Sequence, residues 1–433
     1  MMRIAMISEH ASPLAALGGV DSGGQNVYVD QLARQMAAIG HEVDVFTRRD
    51  SDRLPGSATL CPGARIVHVD AGPASHVRKE ELLPFMDEFA DVVLRHARRR
   101  AYDVIHANFF MSALVGAEVK RAIGTPLVVT FHALGRVRRQ HQGGADAFPE
   151  DRPRIEDRVV AEADRIVAEC PQDEDDLRRH YHADPDRIAT IPCGFDPAEF
   201  WPMDKARARD ALGIGRDERV VLQLGRMVPR KGVDNVVRGL ARLRDGRGIV
   251  ARLLIVGGES EEPDPRITPE IGRLRAIAAE EGVGDAVTFL GSRGRDSLRY
   301  YYAAADVFVT TPWYEPFGIT PVEAMACGTP VIGSSVGGIK STVVDGETGY
   351  LVPPDDPGAL ADSLARLFRH PDLIRLFGMQ AYRRANALYT WKSVAASVAG
   401  VYEEVAARPI LPIAATGRPG LVARPGRRRT SSR

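Results

Sequence analysis

The sequence lacks the features of a disulfide-bonded, zinc-bound or membrane-spanning protein. Its four cysteines are spread over 433 residues, and no two of them form a Cys-x-x-Cys pair. Widely separated thiols are typical of a reducing compartment. The N-terminus has no secretory leader pattern, and no apolar run approaches the roughly 18 residues that cross a bilayer. We therefore expect a cytoplasmic protein with no membrane span.

The chain also lacks an excess of either charge, with 57 basic and 57 acidic residues. This balance gives no indication of a nucleic-acid partner. The exception is segment 408–433, which has seven arginines, no acidic residue and many prolines and glycines. Its composition predicts a disordered basic tail, which is either a solvated end or a weak peripheral anchor to an anionic surface or partner. Nothing in the sequence indicates the oligomeric state.

Short apolar runs of strand length alternate with segments of helical periodicity along most of the chain. The predicted strands are 3–8, 41–47, 65–70, 103–108, 126–132 and 165–170, and then 219–225, 251–258, 286–291, 306–311 and 330–335. Helices are predicted between them, including 25–39, 80–99, 153–164, 232–244 and 357–369. This alternation predicts an α/β fold made of two Rossmann-like, doubly wound parallel sheets that face each other across a cleft.

The domain boundary is predicted from composition. Segment 188–202 is dense in glycine and proline, and the strand–helix pattern restarts after it. We therefore expect an N-terminal domain over 1–200 and a C-terminal domain over 201–385. A last helix within 386–407 has an apolar stripe but no strand to cover, so we expect the stripe to be buried at the domain junction.

The first candidate site is the turn after the strand 219–225. In parallel sheets, ligands bind beyond the carboxyl ends of the strands. Arg226 and Lys231 lie in this turn, just before a helix whose N-terminus carries a partial positive charge. Two cations beside a helix N-terminus form an anion site that suits a diphosphate. The alternative is that both are solvated loop charges.

The second candidate site is the helix start that follows the strand 306–311. Glu315 and Glu323 lie eight residues apart, and Gly318 between them would let a phosphate approach the backbone closely. Glu323 would reach the ribose hydroxyls of a nucleotide, and Glu315 the hydroxyls of the sugar beyond the phosphates. One such glutamate alone would more simply balance the helix dipole. The turn and first helical residues complete the predicted donor site: Pro316, Phe317, Gly318, Ile319 and Thr320.

Further candidates occupy other predicted strand ends. Gly23 and Gly24 open a helix after the first strand, and Asn26 lies just inside it, where a phosphate or an acceptor could bind. His132 ends another strand and could contact the donor sugar or the reacting groups. Arg293, after the strand 286–291, is predicted near the nucleotide. Each of these residues could also be structural.

A basic cluster near His132 could hold an acceptor phosphate, although it could equally be a solvated face. Its members are Lys79, Arg136, Arg138, Arg139 and Arg154. Two acidic stretches that resemble metal sites, 173–176 and 184–186, are better explained as a helix start and a proline turn. We predict no metal site and no cofactor.

The chain resembles the retaining glycosyltransferases of family four, which have the GT-B fold. Four stretches carry the resemblance: GGQNVYVDQLARQMAAIGHEVDVFTRR (23–49), GRMVPRKGVD (225–234), EPFGITPVEAMACGTPVI (315–332) and VGGIKSTVVDGETGYLV (336–352). It covers nearly all of the chain except the tail. Within the family, the chain is most similar to the branch that contains sucrose-phosphate synthases and inositol-phosphate glycosyltransferases.

The resemblance implies transfer of a hexose from a nucleoside-diphosphate sugar to an acceptor hydroxyl, with retention of the anomeric configuration. It implies that Arg226, Lys231 and backbone N–H groups replace a metal ion on the leaving diphosphate. It also implies that Glu315 contacts the donor sugar, Glu323 the ribose and His132 the reacting sugar. The last helix is expected to return to the N-terminal domain.

The resemblance also bears on the acceptor. Lys79 and Arg154 match acceptor-phosphate positions of the inositol-phosphate enzymes, and with Asn26 and Arg138 they form the predicted acceptor site. Phe109 and Ala133, however, stand where those enzymes have tyrosine and threonine. A sugar phosphate or a different acceptor therefore remains open. Alternative functions are a GT-B nucleotide-sugar epimerase or phosphorylase, or a non-catalytic sugar-nucleotide-binding protein.

Overall fold

The structure is a computed structural model that describes residues 1–14 and 23–407. The basic tail predicted over 408–433 lies outside the described residues. The described chain forms two α/β domains, each built on its own sheet. The predicted fold class is confirmed.

The N-terminal domain contains an eight-stranded sheet with the strand order β3-β4-β2-β1-β5-β6-β7-β8. All neighbouring strands are parallel except β3 and β4. The strands are β1 (Arg3–Ile7), β2 (Glu42–Arg48), β3 (Ser57–Cys61), β4 (Ala64–Val69), β5 (Val104–Asn108), β6 (Leu127–Thr130), β7 (Arg165–Ala168) and β8 (Ile188–Thr190). The helices are α1 (Gly24–Ala38), α2 (Met86–Arg99), α3 (Phe110–Ile123), α4 (Gly135–Gln142), α5 (Arg152–Glu162) and α6 (Pro171–Tyr181).

The C-terminal domain contains a six-stranded parallel sheet with the strand order β11-β10-β9-β12-β13-β14. Its strands are β9 (Val220–Leu224), β10 (Arg252–Val256), β11 (Val287–Phe289), β12 (Val307–Thr310), β13 (Val331–Ser334) and β14 (Gly349–Val352). The helices that follow the junction are α7 (Lys205–Leu212), α8 (Val233–Arg247), α9 (Pro269–Glu280), α10 (Arg295–Ala304), α11 (Ile319–Ala326), α12 (Ile339–Thr342), α13 (Pro357–Arg369), α14 (Pro371–Leu388) and α15 (Trp391–Ala406).

The central strands read as continuous apolar runs because helices cover both faces of each sheet. Residues 4–7 of β1 and all of β9 are buried. The helix predicted over 80–99 begins only at Met86, after two 3-10 turns. Pro84 lies in the second of these turns, where it removes an N–H and disfavours helical backbone at the residue before it.

Helix α15 packs against the N-terminal domain, although the chain reaches it from the C-terminal domain. The Tyr402 hydroxyl lies 2.6 Å from Nδ1 of the buried His106 in β5. The Trp391 ring packs edge-on against Tyr28 of α1, with 5.8 Å between the ring centroids. The apolar stripe of this helix is therefore buried against α1 and β5.

The chain passes between the domains twice, and the two crossing segments are hydrogen-bonded to each other. Phe195 donates its N–H to the carbonyl of Tyr389 over 2.8 Å, and Trp391 donates to the carbonyl of Phe195 over 3.0 Å. A Cβ atom at Gly194 would lie 2.9 Å from Trp391 N and from Tyr389 O. Only glycine allows the two segments to approach this closely.

Candidate active site

Two glycine turns from different domains meet across the cleft. Gly23 is the N-cap of α1, and Gly318, with a φ of 91°, is the N-cap of α11. A Cβ atom at Gly23 would lie 3.5 Å from the Arg226 Nε, and one at Gly24 would lie 3.5 Å from Cδ1 of Ile319. The N-terminal ends of both helices therefore face the same space.

This space contains two adjoining cavities of about 160 and 190 Å³. The first extends towards His132 and Lys79, and the second towards Arg293 and Glu323. Every residue predicted for the site lines one of the two, apart from three arginines of the basic cluster: Arg136, Arg139 and Arg154. Their common wall is formed by Gly23, Gly24, Arg226, Arg230, Glu315 and Ile319. The predicted donor and catalytic residues thus come together at one place between the domains.

Glu315 in this wall forms an ion pair, through its Oε2, with Nζ of Lys231, which lines the second cavity, and both side chains are largely buried. Arg230 lies 3.6 Å from the same carboxylate oxygen and donates to the Tyr314 carbonyl. Burial lowers the pKa of Lys231 to about 8, although Glu315 acts in the opposite direction. Burial alone would raise the pKa of Glu315, but Lys231 and Arg230 hold it below its usual value. Arg230 was not predicted from the sequence, although it lies between Arg226 and Lys231.

Glu323 is held at the wall of the second cavity by two partners. Arg295 Nη1 lies 3.1 Å from its Oε1, and the Tyr302 hydroxyl donates to its Oε2 over 3.0 Å. Arg295 also pairs with Glu199. Each carboxylate oxygen retains a lone pair, so Glu323 can still accept hydroxyl groups from a ligand.

Arg295, which was not predicted, therefore positions Glu323 together with Tyr302. Arg293, which was predicted, lines the same cavity but donates to the Glu261 carbonyl and to the Tyr301 hydroxyl.

His132 lies two residues after the end of β6 and has a φ of 58°, a backbone conformation that residues other than glycine rarely adopt. Phe109, directly after the neighbouring β5, has a φ of 84°. Both residues line the first cavity. Strained backbone of this kind persists only where the surrounding structure holds it in place, and it is concentrated at functional sites.

The predicted acceptor residues separate into two groups. Asn26, Lys79 and Arg138 line the first cavity, and Arg138 also pairs with Asp146. Arg154, in contrast, has a side chain that is 81% exposed and pairs with Asp151 on the surface. The structure does not bring Arg154 to either cavity, because the side of α5 that it occupies faces solvent.

Arg152, two residues earlier, is the arginine that points inward from α5. It is fully buried, donates to Glu156 over 2.8 Å and hydrogen-bonds the carbonyl of Ala133. Its guanidinium lies over the rings of three phenylalanines, 4.6–4.9 Å from their centroids: Phe109, Phe110 and Phe148. Arg152 therefore supports one end of the first cavity from behind.

Among residues 1–14 and 23–407, no group of three or more His, Cys, Asp or Glu side chains is placed to hold a metal ion. None of the described helices has both the length and the apolar character needed to cross a membrane.

The fold and the cleft site define a glycosyltransferase of the GT-B class. The protein-family model described as "Glycosyltransferase Family 4" matches residues 22–199. A second family model, described as "Glycosyl transferases group 1", matches residues 204–384. The D-inositol 3-phosphate glycosyltransferase of Actinosynnema mirum is 40% identical over 410 residues, which cover 93% of this chain and 97% of the relative. The enzyme of the same name from Acidothermus cellulolyticus is 40% identical over 416 residues, which cover 94% and 91%. The chain belongs to glycosyltransferase family 4.

Solved structures agree with this assignment. The sucrose-phosphate synthase from Thermosynechococcus elongatus superposes with a TM-score of 0.86 at 35% identity, covering 93% of this chain and 99% of the synthase. Anabaena HepE in complex with UDP-glucose has a TM-score of 0.72 at 20% identity, covering 93% of this chain and all of HepE, and shares the fold. The resemblance inferred from the sequence, including its branch, is confirmed.

Proposed function

We propose that this glycosyltransferase moves a hexose from a nucleoside-diphosphate sugar to an acceptor hydroxyl, with retention of the anomeric configuration. One observation carries the proposal: Arg226, Lys231 and the N-terminus of α11 share the wall of one cavity with the glycine turn of α1. Positive groups that are fixed before the reaction stabilise the charge of a leaving diphosphate. The UDP-glucose complex of HepE supports a donor of this class.

In this proposal the two cavities divide the substrates. Glu323 accepts hydrogen bonds from the ribose hydroxyls, and Arg293 lies beside the nucleotide in the second cavity. Arg226 and Lys231 hold the diphosphate in place of a metal ion, so no cofactor is needed. Glu315, in the common wall, accepts hydrogen bonds from the hydroxyls of the donor hexose, which lies next to His132.

The reaction proceeds on one face of the donor sugar. The acceptor oxygen forms a bond to the anomeric carbon while the bond from that carbon to the diphosphate oxygen breaks. The electron pair leaves with the diphosphate, and one of its oxygens takes the proton of the acceptor. Because attack and departure occur on the same face, the configuration is retained.

The acceptor is proposed to be a small phosphorylated sugar or polyol in the first cavity. Lys79 and Arg138 line that cavity and provide positive charge for a phosphate. The printed names of the relatives, D-inositol 3-phosphate glycosyltransferase and sucrose-phosphate synthase, support this class. We also infer that the enzyme acts in the cytoplasm, because Cys170, Cys193 and Cys327 are buried free thiols.

A matrix of donors and acceptors tests the proposal. UDP-, GDP- and ADP-hexoses are combined with hexose phosphates and inositol phosphate, and products are detected by mass and their anomeric configuration by NMR. We expect one donor–acceptor pair to give a retained glycoside that is lost in Glu323→Ala. An altered donor sugar formed without any acceptor would identify an epimerase, and an inverted product would exclude the proposed mechanism.

A further inference from the structure

Both ring nitrogens of His132 face hydrogen-bond acceptors of the protein. Nδ1 lies 2.9 Å from Oε1 of Glu169, and Nε2 lies 3.0 Å from Oδ1 of Asn108. Glu169 follows β7, and Asn108 ends β5, so the two partners approach the ring from the strands on either side of β6. A neutral imidazole has one N–H and can donate to only one of them.

The orientation of the Asn108 amide is fixed by its other contacts. Its Nδ2 donates to the carbonyl of Ile7 over 3.3 Å and lies 3.5 Å from the carbonyl of His106. A flipped amide would place its oxygen against these two carbonyl oxygens, which is unfavourable. The amide oxygen therefore faces His132, and Nε2 is a donor.

Glu169 makes Nδ1 a donor as well, because an ionised carboxylate only accepts hydrogen bonds. Glu169 is buried and also accepts from the Cys193 thiol over 3.1 Å. Burial alone would raise the pKa of Glu169, but the charge and N–H of His132, together with the Cys193 hydrogen bond, hold it below its usual value. Glu169 and His132 therefore stabilise each other's charged form.

The remaining titratable neighbours do not replace these contacts. The ring of Tyr28 packs edge-on against His132, with 4.9 Å between the centroids, and its hydroxyl is directed towards Thr130. The buried His106 interacts with His132 through charge and is held neutral, because burial lowers its pKa to about 3. Glu315 lines the same cavity but is paired with Lys231.

We propose that Glu169 is a positioning residue that, together with Asn108, holds His132 doubly protonated and excludes it from proton transfer during the reaction. The inference rests on the proposed function, which places the reacting sugar beside His132. With both N–H groups engaged, the ring cannot accept the acceptor proton. It contributes a fixed positive charge at the first cavity, and the proton leaves with the diphosphate.

This role explains why a strained backbone is tolerated at His132. The two hydrogen bonds are made to groups on separate strands, so they fix both the direction of the ring and its charge state. A charge that is oriented before the reaction acts on the transition state without reorganisation. Loss of this charge, as in Glu169→Gln, should therefore lower kcat by about tenfold to a hundredfold and leave the KM of the donor within about threefold.

The protonation state can be measured directly by imidazole ¹⁵N NMR on the full-length protein without substrates. The chain has 11 histidines, so the signals of His132 are assigned by difference from a His132→Gln variant. At neutral pH we expect two protonated nitrogens in the wild type and a single protonated nitrogen in Glu169→Gln. Because this readout needs no turnover, it remains valid if the proposed transfer reaction is not found.

Two further variants keep the test decisive. Cys193→Ala removes the second hydrogen bond to Glu169 and should leave the doubly protonated signature unchanged. Glu169→Asp retains the charge on a shorter side chain and serves if Glu169→Gln does not fold; it should keep the ring protonated but misalign it, lowering kcat. A singly protonated His132 in the wild type, or a doubly protonated one in Glu169→Gln, would overturn the proposal.

Discussion

Lys231 and Glu315 form a buried ion pair although they are 84 residues apart, because the turns after β9 and β12 meet at the same edge of the sheet. Removing one member of a buried pair leaves the other charge without its partner, which typically costs about 3–5 kcal/mol. Arg230, which is 3.6 Å from the same oxygen, offsets part of this cost when Lys231 is the member removed.

The first prediction concerns the coupling of this pair. Lys231→Met and Glu315→Leu should each lower the free energy of unfolding by about 3 kcal/mol, whereas the double variant should cost clearly less than their sum. Urea unfolding of the three variants measures this coupling. Additive losses of stability would show that the pair contributes no coupling.

Lys231→Ala should also reduce transfer at least about a hundredfold while the far-UV spectrum stays native.

The second prediction concerns pH. Burial lowers the pKa of Lys231 to about 8, so the free enzyme loses this positive charge as the pH rises through that value. The affinity for the nucleoside diphosphate should therefore be constant below pH 8 and fall by up to about tenfold per pH unit above it. Calorimetry across this range measures the effect.

Lys231→Arg is the matched control for the pH experiment, because guanidinium remains charged at every pH of the range. Whatever the magnitude of its diphosphate affinity, that affinity should not change above pH 8. If the diphosphate affinity of this variant still falls above pH 8, the titrating group is not Lys231.

The third prediction concerns ribose recognition by Glu323. Glu323→Ala should reduce transfer by orders of magnitude. Glu323→Gln should weaken nucleotide binding by about tenfold or more, because a charge-assisted hydrogen bond is lost. Nucleotides that lack the 2′- or 3′-hydroxyl should bind the wild type weakly but should lose nothing further in Glu323→Gln. Glu199→Gln, which removes only the outer partner of Arg295, is the control. If removing a ribose hydroxyl weakens binding equally in the wild type and in Glu323→Gln, the ribose does not bind at Glu323.

The fourth prediction separates the two arginines of α5. Arg152→Met should lower the free energy of unfolding by about 3 kcal/mol or more, because Glu156 loses its buried partner. Arg154→Ala should change stability by less than about 0.5 kcal/mol and should leave the KM of the acceptor unchanged, since its side chain lies in solvent. Lys79→Ala, which alters the cavity wall, should raise that KM. A raised acceptor KM in Arg154→Ala would restore the role predicted from the sequence.

The contrast between these arginines also indicates what the sequence could reveal. Arg152, Ile155, Glu156 and Val159 follow the i, i+3, i+4, i+7 spacing of a buried helix face, and all four are buried. Arg154 is off that face. Helical periodicity could therefore have selected Arg152, whereas matching by motif selected its exposed neighbour.

The α/β class and the two-domain architecture could be predicted because buried parallel strands form continuous apolar runs. Strands β3, β8 and β14 were not predicted, and each of them lies at an edge of its sheet. The individual contacts of the site could not be predicted either. The pairings of Glu323 with Arg295 and of His132 with Glu169 depend on which strand ends become neighbours in space, and periodicity does not contain that information.

The paired crossing segments at Phe195 and Tyr389 restrict how this enzyme can open. A single linker would allow one domain to rotate in any direction relative to the other. Two linkers that are hydrogen-bonded side by side should instead restrict the domains to rotation about one axis and resist twisting. Substrate entry and product release should then use the same opening motion each time. A bulkier residue at Gly194 should change how the cleft opens, although it touches no substrate.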